Sequence, residues 1–129
     1  YGVEDPNAPH YRYRDSARMF ELTTTPVAVY RGFETAVETI EAVGIDAIRD
    51  RIETLTNRLK EGLADDKLIS PRAYESGLVS IEVDDAEATV SRLADANIVV
   101  RTLPDPDCVR VSVHAFNTTE EVDRLLKHL

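Results

Sequence analysis

Arg110-Val-Ser-Val-His-Ala-Phe-Asn-Thr-Thr-Glu-Glu-Val-Asp123 carries two signals in succession. Including Cys108 and Val109, the residues alternate: Val109, Val111 and Val113 fall on one side, and Cys108, Arg110, Ser112 and His114 on the other. A period of two is that of a strand with one apolar face. Thr118, with Glu121 three residues on, makes a capping box, and Val122, Leu125, Leu126 and Leu129 follow at helical spacing. A helix is therefore predicted from there to the C-terminus. One arginine thus sits on the polar face of a strand clipped to a capped helix.

Upstream, the pattern continues in short elements. Ile98–Arg101 reads as a strand, and residues 102–107 as a loop, because Pro104 and Pro106 do not suit a central strand. Asp84 or Asp85 caps a helix to about Ala96 that carries Val90 and Leu93. Val79, Ile81 and Val83 alternate through a strand at 78–83, and 67–70 is a further short strand. A helix at 46–63 presents Ile48, Ile52, Leu55 and Leu59 as a stripe for a neighbour. Before it, Thr25 as N-cap and Pro26 in the first helical position open a helix with Val29, Phe33, Val37 and Ile40, which Gly44 closes. The order ααββαββα gives an α+β fold: a two-layer sandwich with a small mixed or antiparallel sheet and helices on one face, preceded by a long helix pair. Residues 1–15, with Pro6, Pro9 and no sustained period, form a lead-in, and a start at Tyr1 suits a piece of something longer.

The 129 residues suffice for one domain with a core. No apolar run approaches the roughly 18–20 residues that span a bilayer, so no membrane partner is expected. A net charge of −9 opposes binding to nucleic acid. The aromatic–cation run Tyr11-Arg12-Tyr13-Arg14 therefore suits an interdomain or subunit contact better than a phosphate backbone. Only Lys60, Lys67 and Lys127 are lysines, and this acidic, arginine-rich composition fits either adaptation to high salt or chance. The one cysteine, Cys108, excludes an intramolecular disulfide and fits a reducing cytoplasm. The histidines and acids show no zinc or EF-hand spacing, so no metal is expected.

The order Arg-x-Ser-x-x-x-Phe-Asn-Thr-x-Glu-Glu-Val-Asp resembles the C-terminal end of class V aminotransferases. These are pyridoxal-phosphate (PLP) enzymes of fold type I that include cysteine desulfurases, selenocysteine lyases and isopenicillin-N-epimerase-like proteins. Phe20-Glu21-x-x-Thr24 and the helix ending at Gly44 resemble an earlier stretch of the same family, so the likeness covers residues 16–129. It implies a C-terminal small domain whose large, PLP-binding partner domain is missing, from a homodimeric enzyme acting on an amino-acid substrate by transamination, racemisation, elimination or desulfuration.

The resemblance gives Arg110 the substrate carboxylate. A guanidinium is permanently charged and grips a carboxylate through two parallel hydrogen bonds, fixing orientation as well as position. Read without the motif, an ordinary salt bridge to one of the 24 acidic residues is the favoured reading of Arg110, and the motif turns the preference to the carboxylate. Thr24 aligns with a threonine that reaches the PLP phosphate of the other subunit; Thr23 and Pro26 depart from the usual neighbours, and a capping duty for this Thr-rich stretch is the other reading. Cys108 lies in or beside a strand, not on the longer loop that carries the desulfurase cysteine, and is expected to be a packing residue. His114 is expected to be structural. None of the three lysines has the context of the Schiff-base lysine, so this chain alone is expected to be inactive. A stand-alone small-carboxylate-binding or dimerisation module is the alternative from another class.

Overall fold

The computed structural model describes all residues except 1–3, 6, 8, 11 and 21–25. It divides into two compact units, Tyr1–Ala42 and Val43–Leu129. The first contains a short 3-10 helix, Ala17–Phe20, and nearly all of helix α1, Val27–Val43. The Thr25 cap proposed for α1 lies outside the described residues. Pro26 contributes its carbonyl, which accepts from Val29 and Tyr30 N–H. No residue of α1 is buried, and Val29, Phe33 and Ile40 are exposed. Gly44 follows with φ +91°, a left-handed value that glycine adopts without steric cost.

The second unit is built around a three-stranded antiparallel sheet of order β1-β3-β2, with β1 Leu78–Ile81, β2 Arg101–Pro104 and β3 Asp107–Ser112. Helices α2, Ile45–Glu61, α3, Ala86–Asp95, and α4, Thr119–His128, pack with the sheet, giving the expected α+β architecture. The alternation read at 108–114 holds for Val109, Val111 and Val113, which are buried, but Cys108 on the other side is buried as well. Val111 and Val113 join Val79 and Ile81 in a core with Leu55 and Leu59 of α2, Leu93 of α3, and Val122 and Leu125 of α4. Each such side chain contributes about 1.5–3 kcal/mol by leaving water.

Two strand readings need correction. Residues 67–70 make only an isolated bridge, Leu68 to Ile81, after a 3-10 turn at Asp65–Lys67, so the observed order is ααβαββα. The strand placed at 98–101 begins instead at Arg101 and runs through the supposed loop to Pro104, turning at 105–106 into β3. Proline is tolerated there because β2 is an edge strand and Pro104 is its last residue.

Helix ends follow local chemistry. The Asp85 side chain accepts from Ala88 N–H at 2.9 Å. At the other end of α3, Asn97 takes φ 57°, its N–H bonds the Ala94 carbonyl and Ile98 N–H bonds that of Leu93. That is the Schellman closure, and it turns the chain directly towards β2. The capping box on α4 is formed: Glu121 N–H donates to Thr118 Oγ1 at 3.2 Å, and Thr118 N–H to Glu121 Oε2 at 2.9 Å. These bonds, the backbone N–H of Thr118 first and the Asn117 amide second, hold the Glu121 carboxyl below its ordinary pKa. Arg58 of α2 grips Asp123 of α4 at 2.6 and 2.8 Å, lowering the Asp123 pKa chiefly through that hydrogen bond.

Candidate functional site

With the valines of β3 turned to the helices, alternation puts Cys108, Arg110, Ser112 and His114 on the opposite face. Arg110 is the central residue there. Its strand partners are Ser80 on β1 and Arg101 on β2, and directly opposed residues share a face with Cβ atoms about 4.5–5.5 Å apart. Arg110 is half-buried, and its Nε is fully buried without a hydrogen-bond partner. Such a group costs free energy unless a partner arrives, and a guanidinium, which only donates, is best satisfied by an anionic acceptor such as a carboxylate.

The remaining residues on this face sort clearly. Cys108 is 0% exposed, which suits the packing role read from the sequence. The His114 ring stacks on Phe116 at a centroid distance of 4.9 Å. Thr24, expected to serve the cofactor phosphate, lies outside the described residues. Among the described residues, no group of three or more histidine, cysteine or acidic side chains could hold a metal ion. No helix among the described residues is long and apolar enough to cross a membrane.

The lysines lie elsewhere. Lys60 of α2 is buried, and its Nζ donates to the carbonyls of Tyr74 at 2.6 Å and Arg72 at 3.2 Å. Arg72 returns two bonds to the carbonyls of Lys60 and Leu63, so the pair ties the segment after α2 to the end of that helix. Lys67 Nζ stands 4.0 Å from Asp84, and Lys127 is in the last turn of α4.

A separate cleft of about 160 Å³ opens beside α4, with Leu59, Val111 and Leu125 among its lining. Its polar rim is already engaged, Asn117 with Glu121 and Arg124 with the Asn97 carbonyl, so it offers a ligand little beyond apolar contact.

Arg101 is the neighbour of Arg110 that the sequence reading did not reveal. The signal was present: Arg101 stands four residues before Asp105, and Arg110 four after Pro106. Reading 105–106 as a two-residue turn instead of part of a loop would have placed the two arginines opposite each other.

A small antiparallel sheet with helices on one face and an unpartnered arginine on the other defines an α+β domain that presents a cation. The class-V aminotransferase family matches residues 2–125, and the chain belongs to that family. Solved structures agree. The cystine C–S lyase C-DES, in complex with its product cysteine persulfide, is 28% identical with TM-score 0.76, over 89% of this chain and 32% of that one. A cysteine desulfurase from Thermococcus onnurineus NA1 is 27% identical with TM-score 0.78, over 98% of this chain and 36% of its own. The cysteine desulfurase CsdA of Escherichia coli, at 20% identity and TM-score 0.77 over 98% of this chain and 35% of its own, shares the fold. No curated protein matches. The chain thus spans about a third of the length of these solved relatives.

Proposed function

We propose that this chain is the C-terminal small domain of a PLP-dependent enzyme acting on an amino acid, and that Arg110 holds the substrate α-carboxylate. The observation that carries the reading is the buried Nε of Arg110, unpartnered on the face turned away from the core. A carboxylate accepting from Nε and a terminal nitrogen satisfies the guanidinium and fixes the orientation of the substrate at Cα. Support comes from family membership and from a solved relative, C-DES K223A, that carries glycine covalently linked to its PLP cofactor.

In this reading none of the three lysines forms the Schiff base with the cofactor. Lys60 is committed to two carbonyls, and neither Lys67 nor Lys127 is on the sheet. In this reading the Schiff-base lysine belongs to a larger domain outside the chain, which makes the chain inactive alone. Thr24 serves the cofactor phosphate across a homodimer interface, and the exposed Val29, Phe33 and Ile40 of α1 face the rest of the enzyme.

The test is the native polypeptide detected in its host, expected at about three times the length of this chain from the share of each relative that it covers. In that protein, Arg110→Lys should raise KM for the amino acid about 10–100-fold, the loss of one or two charge-assisted hydrogen bonds. The absorbance of the bound cofactor should not change. An unchanged KM removes Arg110 from the carboxylate; a native band at the length of the chain itself removes the domain reading.

A further inference from the structure

We propose that the arginine-bearing face takes a dianionic amino acid, with Arg110 on the α-carboxylate and Arg101 on a second anionic group in the substrate side chain. This rests on the reading of Arg110 given above and names the substrate class that it serves.

The register puts Arg101 directly opposite Arg110. Two like charges so placed repel and destabilise a sheet. This chain has 24 acidic residues with which to neutralise them, and it does so at Arg12, Arg31, Arg49, Arg58 and Arg72. Ten of its twelve arginines engage a partner: Arg58 pairs with Asp123, for example, and Arg49 with Asp46 and Asp50. Arg101 and Arg110 are the two that have none among the described residues, and they are each other's neighbours.

Among the described residues, nothing else on that face supplies the missing charge. The rung towards the turn pairs Leu103 with Cys108, and the residue flanking Arg110 on β1 is Ser80. Glu82, two residues past Ser80, forms no ion pair with either arginine. One carboxylate neutralises one guanidinium and leaves the second repelled. Two anionic groups on one short chain neutralise both, and a Cβ separation of about 4.5–5.5 Å lets two bidentate contacts form side by side. Arg101 is exposed where Arg110 is half-buried, so the α-carboxylate goes deeper and the variable end of the substrate lies towards solvent.

The test uses the full-length protein that carries this chain, titrated calorimetrically at constant ionic strength with glutarate and butyrate as probes. Glutarate should bind at least about tenfold more tightly than butyrate, the lower end of what one charge-assisted hydrogen bond contributes. Arg101→Gln should bring glutarate to the level of butyrate and leave butyrate unchanged, and Arg101→Lys should restore part of the preference. Equal affinities, or a preference that survives Arg101→Gln, would overturn the inference and leave Arg110 in its role. Failure of both probes to bind, or binding of both that survives Arg110→Lys unchanged, would overturn the underlying assignment, and the inference with it.

Discussion

A methyl group added at Gly77 would sit 2.5 Å from the backbone carbonyl oxygen of Val113 and 3.2 Å from Cγ2 of Ile52. The first contact is with backbone, which cannot rotate aside. It also falls on a joint of the sheet, because Val113 N–H donates to the Gly77 carbonyl at 2.7 Å just beyond the β1–β3 ladder. Gly77→Ala must therefore push the two chains apart, adding an overpacking cost of about 1–3 kcal/mol to the loss of a hydrogen bond worth about 0.5–1.5 kcal/mol. A total of about 2–4 kcal/mol corresponds to a melting temperature lower by roughly 10–25 °C in a domain of this size. Two other glycines serve as controls. At Gly62 the methyl meets only the flexible side chain of Leu126, so the cost should be clearly smaller. At Gly32 on α1 it meets nothing, and alanine should strengthen the helix by about 0.5–1 kcal/mol. Thermal unfolding followed by circular dichroism ranks the three. A Gly77→Ala protein melting within about 3 °C of the parent, a shift worth well under 1 kcal/mol, would refute the steric argument.

Three further outcomes follow from the second unit. Leu59→Ala, at a fully buried position between α2 and the sheet, should cost about 2–5 kcal/mol and lower the urea midpoint accordingly. Thr118→Ala removes the side-chain half of the capping box and should cost about 1 kcal/mol, read in the same urea assay. The carboxyls of Glu121 and Asp123 have lowered folded-state pKa values, so their contribution is present above the ordinary carboxylate range and is lost as pH falls through the folded values. Stability measured from neutral to strongly acidic pH should fall less steeply in Glu121→Gln than in the parent; an identical slope would remove the capping carboxylate from the acid response.

The parts of this fold that were legible are those whose cause is local. The valine alternation of β3 and the Thr118–Glu121 box depend on residues a few positions apart, and both stand as read. The edge strand was missed because Pro104 and Pro106 were weighed as if β2 lay inside the sheet. Whether a strand is central or edge is a tertiary fact, and on the edge the missing N–H of Pro104 costs little. The segment at 67–70 has the composition of a strand and bonds to residues 80 and 82, but it forms only one bridge, at Leu68, and no ladder. For the site, the polar-side position of Arg110 was readable, whereas its lack of a partner was not. Any of the 24 carboxylates could have neutralised it, and only coordinates show that none among the described residues does. Arg101 became visible only through the register.

That hairpin separates two properties that often travel together in a binding site. The spacing of the arginines is set by the rungs of the ladder, and a slip of one residue would turn Val109 and Val111 outward and Arg110 into the core. The turn at 105–106 lies four residues from either arginine and contributes nothing to that lock. Chain can therefore be inserted there at little thermodynamic cost, since each doubling of a flexible loop adds only about 0.6 kcal/mol. The tip of the hairpin is thus a place where new side chains can be brought near a bound substrate, or taken away, while the charge pair that would hold its ends stays where it is.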